Sequence, residues 1–282
     1  MARILSFDAI VAATAELCRK AATELPDDVL ACLKACAARE TNENGKEFFR
    51  QYLENAQIAR ETAMPLCQDT GFAVYFVEYG EELQLDHGTI YEAIDAGTEK
   101  GYRENFLRKS IDADPLFHRV NTGTNTPAIV HLEIVKGDQL HITLAPKGGG
   151  SENMSQLKML KPADGRQGVV DFVVSSVVNA GGNPCPPTIV GVGIGGTAEK
   201  AMYLAKKALL RPLGQRHADP DYAQLEAEIL ERINCEGSGP QGLGGCVTSL
   251  AVHINAFPCH LASLPVAVNL NCHAARHAEV TL

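Results

Sequence analysis

Apolar residues recur at helical spacing through the first 63 residues. Ile10, Val11, Leu17, Cys18 and Ala21, with Thr14, mark one stripe. Val29, Leu30, Leu33 and Cys36 mark a second, with Pro26 and Asp27 as its start signal. A third runs over about 44–62 with Phe48, Phe49, Tyr52, Leu53 and Ala56 inward, and Pro65 stops it. The period then changes. Residues 72–79, FAVYFVEY, are β-branched and aromatic and predict a strand, followed by a helix over 89–101. AIVHLEIV (128–135), the turn Lys136-Gly137-Asp138 and QLHITLA (139–145) predict a hairpin. Residues 167–178 predict a buried helix whose lone charge is Asp171, and 188–194 a buried strand. Helices are expected over 198–210 and 222–233, and buried strands over 247–255 and 265–271. The expected fold class is α/β, of mixed α+β type: a helical N-terminal part, residues 1–63, layered on a mixed-sheet domain within one unit of 282 residues.

Charge narrows the function. Lys and Arg total 25 against 34 Asp and Glu, so the formal net charge is 25 − 34 = −9, which argues against binding a phosphate backbone. No apolar run approaches the roughly 20 residues that cross a bilayer. Asp8 and Glu16 interrupt the first apolar stretch, which reads as an amphipathic helix and not a signal peptide. Nine cysteines, an odd number without an export signal, predict reduced thiols in the cytoplasm. Cys18, Cys32 and Cys36 lie in helical patterns and read as core. From Gly237 to Leu282 the only formal charges are Arg276 and Glu279, so this segment is either deep core or a surface that another chain covers.

Four loops interrupt the apolar elements, and loops on a rigid scaffold are where chemistry usually sits. PLCQDTG (65–71) sets Cys67 beside an amide, a carboxylate and a hydroxyl. NTGTNTP (121–127) and APKGGGSENMS (145–155) come next; the three glycines with Lys147 and Ser151 suit a small anion such as a carboxylate better than a phosphate. NPCPPT (183–188) holds Cys185 among three prolines, and GVGIGG (191–196) follows. That glycine run fits a dinucleotide fingerprint, but no acidic strand end follows it, so close helix–strand packing is the simpler reading. CEGSGPQGLGGC (235–246) leads to PCH and NCHAARH; a zinc site from Cys259, Cys272, His273 and His277 is conceivable, although no C-x-x-C pair occurs. Spacing favours Cys67 and Cys185 as ligands of an iron–sulfur cluster and leaves the third open among Cys235, Cys246, Cys259 and Cys272.

PLCQDTG, NTGTNTP, APKGGGSENMS, NPCPPT with GVGIGG, GPQGLGG and HLASLPVAVNLNC occur in this order. Together they resemble the α part of the class I iron–sulfur hydro-lyases, the fumarase and L-tartrate dehydratase family, from about residue 5 to the end. The resemblance implies a [4Fe–4S] cluster on Cys67, Cys185 and Cys272, whose fourth iron lacks a protein thiolate and acts as a Lewis acid. It implies a four-carbon dicarboxylate substrate. Gln68, Arg108, Lys147, Gly148 and Gly149 are then expected at the substrate, and Asp69 and His260 as catalytic groups. Arg108 suits a bidentate carboxylate clamp, against the plainer reading of a solvated arginine, and His260 has the alternative of a core imidazole.

Single-chain members of this family carry a second, swivelling domain that supplies further substrate-binding and proton-transfer groups. By resemblance the chain is an α subunit that lacks this domain and requires a β subunit. Ser151 after the glycines points to reversible hydration of fumarate to malate; the alternatives are L-tartrate dehydration to oxaloacetate, a mesaconate-type acid, or a non-catalytic cluster-carrying subunit. Cys246 stands where relatives commonly have a basic residue.

Overall fold

The computed structural model describes residues 3–282. In chain order its elements are β1 (Arg3–Leu5), α1 (Phe7–Thr23), α2 (Asp27–Arg39), α3 (Glu43–Thr62), β2 (Phe72–Gly80), β3 (Leu83–Leu85), α4 (Ile90–Glu104), β4 (Ile129–Val135) and β5 (Leu140–Lys147). Then follow the single turn α5 (Gly149–Glu152), β6 (Gln156–Leu160), α6 (Gly165–Ala180), β7 (Thr188–Gly195), α7 (Ala198–Ala208), α8 (Pro220–Glu236), β8 (Ser249–Phe257), β9 (Leu264–Asn271) and β10 (Ala278–Thr281). The α/β class expected from the periodicity is the one observed. No helix among the described residues is long and apolar enough to cross a membrane.

The chain forms two compact units. Unit 1 takes the residues up to Leu25, Ala56–Gly149 and Arg276–Leu282; unit 2 takes Pro26–Asn55 and Gly150–Ala275. The helical N-terminal stretch is therefore shared. α1 belongs to unit 1, α2 to unit 2, and α3 contributes to both.

Unit 1 is built on a sheet of order β10-β5-β2-β4, with β2 antiparallel to β5 and parallel to β4. α1 and α4 pack on one another, and α1 also packs on β5 and β10. Ile10, Leu17, Ile94, Tyr102, Tyr75, Leu140, Ile142 and Leu144 fill the core between them. A capping box starts α4: Thr89 Oγ1 accepts from the Glu92 N–H, and the Glu92 carboxylate accepts from the Thr89 N–H at 2.8 Å.

The expected hairpin of residues 128–135 with 139–145 does not form. β2 lies between those two strands and pairs with both. The connecting turn crosses the end of β2 instead, where Glu81 N–H donates to Val135 O (2.8 Å) and Glu82 N–H to Gly137 O (3.0 Å). The crossing is possible because residue 80 is glycine: a Cβ there would stand 2.4 Å from the Gly137 carbonyl oxygen. Local turn chemistry was satisfied, but a distant apolar strand took the central position, where Ala73–Val77 are buried on both faces.

Unit 2 carries the sheet β6-β9-β7-β8, in which β7 is parallel to β8 and antiparallel to β9. Val170, Val173 and Val177 of α6 and Ile229 and Ile233 of α8 form one core with Val190, Val192, Ile254, Val266 and Val268 of the sheet. Ala201 and Ala205 of α7 pack against Ala267 in a second, smaller cluster. Here the glycines of GVGIGG find their use. A Cβ at Gly191 would lie 2.0 Å from Ala205 O, and one at Gly193 would lie 1.9 Å from Ala201 O. Close helix–strand packing explains the run, and no nucleotide need be invoked.

One buried polar group in this unit makes stability depend on pH. His253 on β8 is 3% exposed, and its Nδ1 has no hydrogen-bond partner among the described residues. Burial, helped by the Arg211 guanidinium, pushes its imidazole down to about 4. The unfolded chain therefore takes up this proton first, at about pH 6.5. The contribution is fully present above pH 6.5 and is lost as pH falls through 4, amounting to about 3 kcal/mol. We expect His253→Gln to reduce the loss of urea stability between pH 7 and pH 4.5; parallel losses in variant and parent would refute the assignment.

Candidate functional site

In unit 1 the loop after α3 is tied down at one end by Leu66, whose N–H donates to Ala22 O at 2.8 Å. Cys67 follows, half-buried, and then Gln68, exposed. Asp69 uses its carboxylate twice: Oδ1 accepts from the Gly71 N–H at 3.0 Å and Oδ2 from the Gly149 N–H at 2.8 Å. One side chain thus joins the LCQDTG loop to the glycine run after β5. Gly71 (φ 77°) sits so close to the Lys147 backbone that a Cβ would lie 2.6 Å from its carbonyl carbon. Lys147 itself is buried.

Three further side chains hold this loop. Thr70 Oγ1 donates to Arg108 O at 2.8 Å. Asn125 is fully buried at φ 62°; its Nδ2 donates to Gly71 O at 3.2 Å, and its Oδ1 accepts from the Ser110 N–H at 2.7 Å. Arg276, also buried, donates from Nη2 to Asp69 O at 2.5 Å. The Arg108 backbone is fixed by Thr70, while its guanidinium is exposed and makes no hydrogen bond or ion pair among the described residues. Seven expected site residues — Cys67, Gln68, Asp69, Arg108, Lys147, Gly148 and Gly149 — therefore belong to unit 1.

In unit 2 Cys185 is exposed and stands at φ 54°, a left-handed conformation that costs a side-chain-bearing residue about 1–2 kcal/mol. Its neighbours hold it there. The Cys185 carbonyl accepts from His273 Nδ1 at 3.0 Å and from the His273 N–H at 3.3 Å. The Pro186 carbonyl accepts from the Gln241 N–H at 2.9 Å and from the Tyr52 hydroxyl at 3.2 Å. Gln241 Nε2 donates to the Tyr52 oxygen at 2.8 Å. The His273 ring stacks on Tyr52, centroids 4.0 Å apart. Cys272, half-buried, follows the last residue of β9 and directly precedes His273. Burial raises the Tyr52 phenol well above the usual range, and the Cys185 and Cys272 thiols push the same way.

His260 stands apart from this network. It lies on an exposed turn between β8 and β9, where its Nδ1 accepts from the Ala262 N–H at 3.1 Å. On the same turn the Cys259 thiol donates to Ser263 O at 3.3 Å. All nine thiols are free of disulfides. Among the described residues, no three His, Cys, Asp or Glu side chains are gathered so as to hold a metal ion. Cys67 belongs to unit 1, and Cys185 and Cys272 to unit 2. Of the remaining thiols, Cys18 is buried, with its thiol pushed up to about 12 by desolvation. Cys36 is buried as well, with the Arg39 guanidinium 3.2 Å from its sulfur.

Sequence reasoning missed Asn125, Arg276, Tyr52, Gln241 and His273 as parts of this arrangement. Arg276 had a signal, since it is one of two charges in 46 residues. Tyr52 had none beyond its place on the inward face of a helix.

The family model described as Fumarate hydratase (Fumerase) matches residues 11–281. A protein of Methanocaldococcus jannaschii whose name, L(+)-tartrate dehydratase subunit alpha, is provisional is 46% identical over 268 residues, spanning 93% of this chain and 94% of its own length. The L(+)-tartrate dehydratase subunit alpha of Escherichia coli K12 is 36% identical over 269 residues, spanning 92% of this chain and 88% of its own length. Nearly every loop and element described above falls within these matches. The chain belongs to the α-subunit family of the class I fumarases and L-tartrate dehydratases, and is a hydro-lyase chain.

Proposed function

We propose that the chain is the α subunit of an L-tartrate dehydratase, which eliminates water from L-tartrate to give oxaloacetate. The observation that carries this reading is the name shared by the relatives at 46% and 36% identity, each aligned over more than nine-tenths of this chain. Hydration of fumarate, which Ser151 suggested, is the second reading, and the description of the matching family model favours it. We weigh the relatives more heavily, because they match at the level of whole subunits.

The reaction removes a hydroxyl from one carbon and a proton from its neighbour, and the enol so formed rearranges to the ketone. The substrate's two carboxylates need cations and N–H donors. Arg108 suits one of them, because its guanidinium is exposed and uncommitted while its backbone is anchored by Thr70. By resemblance Lys147 and Gly148 are assigned to the second carboxylate, and Gly149, whose N–H is taken by Asp69 Oδ2, turns the chain beside them. Both Asp69 oxygens are already occupied by backbone N–H groups, which suits a residue that holds the two loops together better than one that moves a proton. Gln68 is exposed beside it and can reach a substrate hydroxyl. His260 is a candidate acid–base group on the strength of its exposure and of its Nε2, which has no hydrogen-bond partner among the described residues.

The donor set fits an iron–sulfur cluster. Cys67, Cys185 and Cys272 lie outside any disulfide, at the ends of elements or in loops, and thiolates are the ligands such clusters take. A [4Fe–4S] cluster held by these three, with one iron free of protein ligands, would supply a Lewis acid for the departing hydroxyl. Nine cysteines outside any disulfide suit a reducing cytoplasm. The remaining proton-transfer group is assigned to a β subunit.

Anaerobic co-expression with a β-type partner tests the substrate. We expect kcat/KM on L-tartrate to exceed that on fumarate and malate by at least about tenfold, which corresponds to about 1.4 kcal/mol; a preference for fumarate would reverse the order of the two readings. Cys185→Ala and Cys272→Ala should lose iron that Cys32→Ala retains, and equal iron in all three would remove the ligand assignment. Arg108→Met should keep its iron and raise KM by about 10–100-fold, the worth of a hydrogen bond to a charged group.

A further inference from the structure

Four hydrogen-bond donors converge on two consecutive carbonyls. His273 gives Nδ1–H and N–H to Cys185 O, and Gln241 N–H and the Tyr52 hydroxyl go to Pro186 O. The donors come from three distant parts of the chain. A carbonyl oxygen can only accept, so the 3.0 Å contact fixes the proton of His273 on Nδ1. Gln241 at 3.5 Å from that nitrogen is the weaker neighbour and turns its Nε2 to Tyr52 instead.

The donors are themselves interlocked. The Tyr52 hydroxyl donates to Pro186 and accepts from Gln241, while its ring lies flat against His273. Gln241 is a second non-glycine residue in the left-handed region, at φ 55°. Its loop is tied from the far side by the buried carboxylate of Glu40, which accepts from the Cys246 N–H at 3.0 Å. Since His273 directly follows Cys272, one ring ties the backbone of Cys185 to the residue next to Cys272.

We propose that Tyr52, Gln241 and His273 are positioning residues that clamp the Cys185 loop to the end of β9, so that the two thiols are presented in a fixed mutual arrangement for the cluster. The inference rests on the cluster reading above for its purpose, but the clamp itself is a property of the metal-free chain. Ligands of a metal are oriented by the groups hydrogen-bonded around them, and losing such a group typically weakens metal retention 10–100-fold. Here the orienting bonds act on the backbone of the ligand residue and not on its sulfur.

Two measurements on the full chain separate the clamp from the cluster. The first is hydrogen exchange of the metal-free chain, comparing Tyr52→Phe and Gln241→Ala with the parent. We expect amides in 182–188 and 271–274 to exchange at least about fivefold faster in both variants, with those of β2 and α4 unchanged. Unaltered exchange in 182–188 would overturn the clamp, and Tyr52→Phe, which keeps the ring stacked on His273, guards against simple misfolding. The second is the rate of iron release in air after anaerobic reconstitution with the β partner. We expect about tenfold faster release from Gln241→Ala. Faster exchange with unchanged iron release would overturn the positioning role. A parent protein that takes up no iron would instead remove the cluster reading, and the clamp is then judged on exchange alone.

Discussion

The carboxylate of Asp69, shared between the N–H groups of Gly71 and Gly149, is the interaction on which the unit 1 site depends. Two loops far apart in sequence leave regular structure at this point, and their buried backbone groups must find partners. A side chain with two acceptors and no donor meets that need for both loops at once. Around it Asn125, Tyr102 and Arg276 take the carbonyls of Asp69, Thr70 and Gly71. The consequence is selective. The carbonyls of residues 69–71 are engaged, whereas the side chains of Gln68 and Arg108 are left exposed. A loop built in this way has its main chain held from several sides while two polar side chains stay open to solvent.

Unit 2 solves the same problem by the opposite means. There the carbonyls of Cys185 and Pro186 are the groups to be satisfied, and donors come from Tyr52, Gln241 and His273. Cys185 and Gln241 both adopt left-handed backbone conformations, which persist only where surrounding contacts over-determine them. Neither position is occupied by glycine, although glycine would remove the strain. At Cys185 the ligand role proposed for the thiol would account for this. At Gln241 the side-chain amide does, because it reaches the Tyr52 oxygen.

Much of this was legible in the sequence, and the exceptions have physical causes. The long helices and the buried strands β2, β7, β8 and β9 follow from periodicity, because each buries a continuous apolar face. The short strands β1, β3, β6 and β10 carry too few residues for a period to register. The hairpin reading of 128–145 failed because strand order is decided by which strand is apolar on both faces, and that information sits in residues 73–77. The loops of the site were legible by composition. Their supporting residues were not, since Tyr52 meets Pro186 and Gln241 across 134 and 189 residues of sequence. A tyrosine on the inner face of a helix looks the same whether its hydroxyl meets core or the carbonyl of a distant loop.

The charge-poor C-terminal segment shows how one composition can have two origins. From Pro265 to Asn271 the strand β9 is buried throughout, and it lies inside the sheet with β6 on one side and β7 on the other. Its lack of charge is that of a central strand. Phe257, the last residue of β8, and Leu261, on the turn that carries His260, are by contrast 49% and 88% exposed. Core burial cannot account for these two. The low charge here is therefore that of an exposed surface, on which apolar side chains stand near the His260 imidazole.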